Sequence, residues 1–387
     1  MAKAAINFFI SQNLYGNVKS DFRQNAEGSA KQQGKIMSKF ISISAFVVAA
    51  ACVAVPALAQ VNLTAETVSP GGSAYLAPAH LTEVAGLRGI ANIQLADGQT
   101  LTNSVLNVAE GKTDIATTPF ILPFLMSRGV GPYANLGKEK GAELAGNIRV
   151  LYPFSLGTFF MYAFDSKSVN GWSDIKGRKI FNGPPRGAAL NNSRTIIQLV
   201  SGLKDGEGYE GVQANWGQAS ATINDGTVDA VVLPELFPSG RIVELGASGA
   251  MTAWSIPKAS FESEAMQKYM HAPGNAPWTM TTAEAKAGLG ESWTIVSEDD
   301  TFRGMSTVGG DTVNKDMDEE LAYQLTKAHI ETLPELMAKA PFAAHVGFGV
   351  VDVEKSAMCG ANPLKYHKGA VRAWEEAGYT IAACAKE

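Results

Sequence analysis

The stretch FNGPPRGAALNNSR, residues 181–194, concentrates the groups best suited to chemistry in this chain. A basic and apolar lead-in, Gly177-Arg178-Lys179-Ile180, precedes it, and the apolar series Ile196, Ile197, Leu199, Val200 follows. That order predicts a strand, a Gly/Pro turn carrying Arg186, and the start of a helix. The first N–H groups of a helix have no partners within it and carry a partial positive charge, so they form a ready site for an anion. Arg186 adds a planar fork that matches a carboxylate with two parallel hydrogen bonds, about 1.5–3 kcal/mol each where water is excluded. The plainer alternative leaves this guanidinium solvated at the lip.

The elements that must position this turn alternate from end to end, which predicts an α/β fold with mostly parallel sheets. Residues 61–68 alternate as a first strand, and Ser69-Pro70-Gly71-Gly72-Ser73 turns into a helix over 75–85. A strand at 90–96, the turn Asp97-Gly98-Gln99-Thr100, a helix over 101–110 and a strand at 115–118 complete a unit. The same grammar returns with strands at 179–182, 211–215 and 230–233 and helices over 188–203 and 218–224. An acidic-Gly-x-x-Asp run leads into an apolar strand in both units, at 110–114 and at 225–229. Two similar lobes follow as the economical expectation, with apolar crossings at 149–164 and 302–313. A helix at 319–332 and a last one at 370–377 are expected to pack back on the first lobe.

In open α/β sheets ligands bind outside the carboxyl ends of the strands. The turns at those ends present Gly72, Ser73 and Tyr75, then Gln99 and Thr100, then Thr117 and Thr118, then Arg186, Gly187 and Ala188. Glycines allow close backbone approach, and hydroxyls and amides donate hydrogen bonds. For any single turn, chain reversal alone explains the glycines; four turns in register across two units favour a binding cleft. Tyr75, Phe159 and Trp216 could form aromatic walls, although a core role is the stronger expectation for each.

Catalysis finds little support. The five histidines, His80, His271, His329, His345 and His367, show no metal-ligand spacing, and no CxxC pair occurs. No GxSxG elbow, no GxxxxGK[ST] loop and no GxGxxG after a strand is present. No catalytic residue, metal or cofactor is expected.

Met37-Ser38-Lys39-Phe40 opens a short basic region, residues 41–55 are almost entirely apolar, and Ala57-Leu58-Ala59 forms a small-x-small cleavage site. This is the pattern of a secretory signal peptide over 37–59, and residues 1–36 read as an upstream extension without a fold. An acylated Cys52 is the minor alternative. Cleavage near Ala59 leaves 328 residues, room for two lobes with their own cores. Removal of residues 1–59 takes six basic and two acidic groups with it, moving the net charge from −5 to −9. That balance disfavours nucleic acid and anionic membrane as partners, and no later segment is apolar and long enough to span a bilayer. Cys359 and Cys384 remain; they either pair, at roughly 2–4 kcal/mol of stabilisation, or stay as two buried thiols.

The segments GGSAY at 71–75, DGQTLTNSVLNVAEGKTDIA at 97–116, LYP at 151–153, WSDIKGRKIFNGPPRGAALN at 172–191, NDGTVDA at 224–230 and PLKYHKGA at 363–370 resemble solute-binding receptors of the TAXI type. These serve tripartite ATP-independent periplasmic (TRAP) transporters. The most specific element is IKGRKIFNGPPRGAALN, which closes on Asn191. The resemblance covers nearly the whole mature chain. It implies a type II periplasmic binding protein, two lobes with mainly parallel sheets joined by crossing strands. Lobe 1 would comprise residues 60–158 and 300–387, and lobe 2 residues 159–299. It further implies closure around an organic anion or amino acid, glutamate or a related dicarboxylate, and delivery to TRAP permease subunits coupled to an ion. Departures concern the ligand: Arg186-Gly187-Ala188-Ala189 stands where the family has GSGT, Thr117-Thr118-Pro119 replaces a Ser-Asp, and Glu235 follows the strand at 230–233. Glu235 could bind a ligand amine, pair with Arg186 or face solvent. If both enter the cleft, a zwitterion is favoured; if Glu235 turns away, a plain acid fits better. A periplasmic sensor and, behind it, an enzyme on the same fold are the rival functions.

Overall fold

A computed structural model of the chain describes residues 61–185 and 187–387. The expected extension and signal peptide and Arg186 lie outside the described residues.

The first unit runs β1 (Val61–Glu66), α1 (Ser73–Leu87), β2 (Ala91–Ala96), α2 (Leu101–Ala109) and β3 (Ile115–Pro119). Its strands lie parallel in the order β2-β1-β3. Ile115, Ala116, Thr117 and Thr118 are all buried, as a strand covered on both faces requires. On α2, Ser104, Val105, Val108 and Ala109 are buried, a stripe at helical spacing turned to the sheet. Next come α3 (Ile121–Arg128), α4 (Gly137–Ala145) and the long β4 (Ile148–Phe164).

The second unit repeats the plan with β5 (Lys179–Phe181), α5 (Ala188–Ser201), β6 (Glu210–Val212), α6 (Ala219–Asn224) and β7 (Ala230–Glu235), its strands parallel in the order β6-β5-β7. After α7 (Gly240–Ser248), β8 (Met251–Trp254), α8 (Lys258–Phe261), α9 (Glu264–Met270), β9 (Asn275–Thr281), α10 (Thr282–Leu289) and β10 (Trp293–Val296), the chain returns through β11 (Thr301–Asn314).

The acidic-Gly-x-x-Asp repeat does the same work in both units. Gly111 and Gly226 take φ of 70° and 78°, the left-handed conformation that ends α2 and α6. Three residues later Asp114 accepts from the backbone N–H of Thr64 at 2.7 Å, and Asp229 accepts from that of Lys179 at 2.8 Å. Each aspartate thereby ties its own unit's third strand to the first.

β4 and β11 pair antiparallel along most of their length and exchange outer partners at one level. β4 pairs with β7 from Thr158 onward; β11 pairs with β9 up to Thr307 and with β3 from Gly309. Gly157 and Thr307 face each other at that level, and the register slips between Thr307 and Val308. Gly157 has φ of 139°, and a Cβ there would stand 3.1 Å from Pro234, so a side chain would obstruct the crossing.

Among the described residues, three apolar clusters fill the interior. One gathers residues 63–154 with Ala276 and residues 308–385; the other two draw on residues 159–305. α11 (Glu319–Glu331) and the last helix, Lys368–Glu376, belong to the first cluster through Leu325, Ala328, Ala370 and Trp374. Cys359 and Cys384 are joined as a disulfide within this C-terminal segment. Two parallel α/β units linked by crossing strands form the type II periplasmic binding protein architecture expected from the sequence.

Candidate ligand-binding cleft

A cavity of about 1040 Å³ opens between the two units. On the first-unit side it is lined by Thr100 and Thr102 at the start of α2, by Ile121, Leu122 and Leu125 of α3, and by Pro132. On the other side stand Gly187, Ala188, Asn191 and Asn192 at the start of α5, with Tyr269 and the loop 272–275. Thr307 and Val308 form the floor, at the level where β11 changes partners.

The α5 end is shaped for an acceptor. Gly187 precedes the helix with φ of 108°, and no side chain caps it, which leaves the first-turn N–H groups facing outward. Asn192, one turn in, is buried, and its Oδ1 accepts from the Tyr269 hydroxyl at 2.6 Å. The amide N–H groups of Asn192 are thereby left as its remaining hydrogen-bonding function. Burial pushes the Tyr269 hydroxyl above its ordinary pKa, so it stays a neutral donor. The loop 272–275 reaches across to α3 at Gly274, where a Cβ would stand 2.5 Å from the backbone nitrogen of Ile121. The Gly274 carbonyl accepts from Val308 N–H at 2.9 Å.

The residues singled out in the sequence fall into four places. Thr100, Gly187, Ala188 and Asn191 meet in this cavity. Gly72 and Ser73 form the start of α1 elsewhere: Ser73 is buried, its hydroxyl donates to Ser155 of β4 at 2.7 Å, and Leu236 lies over Gly72. Tyr75 is half-buried nearby, in the first turn of α1. Gln99 folds back on its own turn, donating to the Asp97 carbonyl at 2.8 Å. Thr117 and Thr118 are fully buried and engaged internally, Thr117 with Asp311 at 3.0 Å and Thr118 with Thr312 at 2.6 Å. Neither lines the cavity, because the strand positions they occupy are covered on both faces.

Glu235 takes a different partner from those considered for it. Its buried carboxylate accepts from Arg241 Nε at 2.7 Å, Tyr162 Oη at 2.7 Å and Ser239 Oγ at 2.8 Å. Burial and the adjacent Glu235 push the Tyr162 hydroxyl well above its ordinary pKa. For Arg241, burial works against the charge, but the Glu235 carboxylate more than offsets it and raises the guanidinium's pKa. A carboxylate held by three donors is not available to a ligand amine. Arg241 also lies 5.4 Å from the ring of Trp216, which is exposed, whereas Phe159 is wholly inside the core.

Among the described residues, no group of three or more His, Cys, Asp or Glu is arranged to hold a metal ion.

The sequence profile of the NMT1-like family matches residues 66–378. This chain belongs to the NMT1-like family. The family is of the periplasmic binding-protein type. No curated protein matches the chain. Among solved structures, one similar protein is the SsuA of Methylobacillus flagellatus KT, described as a putative sulfonate ABC transporter, periplasmic sulfonate-binding protein. It is 14% identical over 74% of this chain and 72% of its own, with a TM-score of 0.43. A TRAP periplasmic solute binding protein from Desulfovibrio salexigens DSM2638, in complex with diglycerolphosphate, is 13% identical over 84% and 93%, TM-score 0.41. A nutrient binding protein from Burkholderia cenocepacia bound to methionine is 13% identical over 74% and 99%, TM-score 0.39.

Several lining residues of this NMT1-like chain escape sequence inspection. Leu122 and Leu125 look like ordinary core residues of a helix, and Asn192 and Tyr269 lie 77 positions apart. A signal existed for Gly274, in the His271-Ala272-Pro273-Gly274-Asn275 turn ahead of a strand.

Proposed function

We propose that the chain is a periplasmic solute-binding protein that captures a small organic acid by hinge closure and delivers it to an ion-coupled TRAP permease, as a TAXI-type receptor does. In this scheme residues 60–158 with 300–387 act as one lobe and 159–299 as the other, and β4 and β11 flex where they change partners. The observation that carries it is the cavity of about 1040 Å³ whose walls come from both α/β units, with an uncapped helix start on one wall. Closure is stabilised only by ligand contacts that the open form lacks. No covalent step is needed, and no catalytic residue, metal or cofactor is assigned.

The withdrawal of Glu235 into its pairing with Arg241 favours an acid over a ligand recognised through its amine. The sequence resemblance puts glutamate and related dicarboxylates first among acids to try. Mass spectrometry of the small molecule retained through native purification, followed by calorimetric titration with mono- and dicarboxylic acids, tests the proposal. A retained acid that binds with a 1:1 stoichiometry and compacts the protein in small-angle scattering is expected. Silence across the whole panel rejects it.

A further inference from the structure

Ile121 and Leu125 of α3 line the cavity half-buried, although both pack on the core beneath. Pro132 extends the same wall, and Ala272 and Pro273 face the cavity from the loop before β9. Val308 supplies hydrocarbon at the floor. Amide and backbone hydrogen-bonding groups are densest at the opposite end, where the uncapped first turn of α5 meets Asn191, Asn192 and the Tyr269 hydroxyl, while Thr100, Thr102, Asn275 and Thr307 complete the polar lining elsewhere. Among the described residues lining the cavity, none carries a formal charge.

From this division we infer that the ligand has one acidic end and a hydrocarbon body, an aryl-alkyl or branched-alkyl monocarboxylate rather than a dicarboxylate. This rests on the acid-binding function proposed above and narrows it. The acid end takes the α5 first-turn N–H groups and the Asn192 amide, since anions are favoured at a helix start. The body covers Ile121 and Leu125, because removal of apolar surface from water is the main non-directional driving force for binding. A second carboxylate would give up its hydration for a few neutral donors such as the Thr100, Thr102 and Thr307 hydroxyls, with no cation among the described lining residues to offset the cost. Size agrees: ligand pockets span about 300–1,000 Å³, and this cavity stands at the upper end, with room for more than a five-carbon chain.

Calorimetric titration of the purified protein with 3-phenylpropanoate and 4-methylpentanoate against glutarate and L-glutamate decides the matter. The hydrocarbon acids are expected to bind at least tenfold tighter. Leu125→Asn, at a half-buried position, is expected to weaken the hydrocarbon acids at least fivefold while changing glutarate less than twofold, with circular dichroism and the thermal midpoint confirming that the variant folds. Tighter binding of glutarate or glutamate overturns the inference and leaves the proposed function standing. If no member of either set binds, the proposed function fails and the inference with it. An equal loss for all ligands in the folded Leu125→Asn protein also overturns the inference.

Discussion

Tyr152 donates a 2.7 Å hydrogen bond to Oδ2 of Asp311, its direct cross-strand neighbour in the pairing of β4 with β11. Asp311 is fully buried, and its other oxygen meets Thr117, its neighbour on β3, at 3.0 Å. Thr117 in turn contacts Thr67 and the Ala74 carbonyl at the start of α1, so one carboxyl ties three strands and a helix start together. The ring of His329 stacks on Tyr152 with centroids 3.5 Å apart.

Two titrations of opposite sign meet in this cluster. Burial outweighs the hydrogen bonds from Tyr152 and Thr117 and pushes Asp311 up to about 7 from 3.8, whereas burial, with His80 nearby, lowers His329 to about 3 from 6.5. For Asp311 the native state keeps a proton that the unfolded chain releases, so its contribution to stability falls as pH rises from about 4 to 7. For His329 the unfolded chain binds a proton that the native state refuses, so stability falls as pH drops from 6.5 towards 3. Asp311→Asn is expected to leave the histidine slope alone and to raise stability at pH 8, by up to about 4 kcal/mol. His329→Phe, which keeps the stack, should shrink the acid-side decline to the share that the buried His80 and His367 supply and leave the decline with rising pH intact. Urea midpoints at pH 4.5, 6 and 8 distinguish the two slopes.

Arg241→Met removes the cation from a buried carboxylate and is expected to destabilise by about 3–5 kcal/mol. Adding Glu235→Gln should recover most of that loss, since the amide retains hydrogen bonding without a charge. Chemical denaturation of the single and double variants measures the coupling. Equal losses in both would show that Arg241 contributes packing alone.

Gly274→Ala and Gly71→Ala separate backbone strain from steric contact. Both glycines have positive φ, 82° and 125°, but only at Gly274 would a Cβ strike a neighbour, the Ile121 backbone at 2.5 Å. Gly71→Ala should cost about 1–2 kcal/mol for conformation, and Gly274→Ala about 1–3 kcal/mol more for the clash. Thermal midpoints test the ranking, and a reversed order would refute the contact argument.

Cys384→Ser opens the Cys359–Cys384 link, which closes a separation of 25 residues. Loop-closure entropy predicts a loss of about 3 kcal/mol, concentrated in the C-terminal segment. Hydrogen exchange of residues 360–387 should accelerate while β1 to β3 keep their protection; uniform acceleration would contradict a local role.

Local patterns carried most of the architecture. The turns at Gly111 and Gly226, the buried strands β3 and β7 and the helix after Gly187 all follow from residue type and spacing over a few positions. Segments with mixed patterns were less legible. Residues 121–145, which form α3 and α4, and the polar stretch holding α9 and β9 have apolar stripes too short or too interrupted to predict their packing. The candidate site divided in the same way: Thr100, Gly187, Ala188 and Asn191 could be found at strand ends, whereas Leu125, Asn192 and Tyr269 required the assembled cleft.

The amino-acid order by itself determined two α/β units, the strands that cross between them and the helix start on which an anion can be held, because backbone conformation and hydrophobic periodicity act over short spans of chain. Only the tertiary structure decided that Glu235 pairs with Arg241, that Thr117 and Thr118 face inward, and that Ile121, Leu122 and Leu125 turn a hydrocarbon wall to the cavity. Those outcomes depend on which distant side chains exclude water from one another, and that is settled only when the units pack.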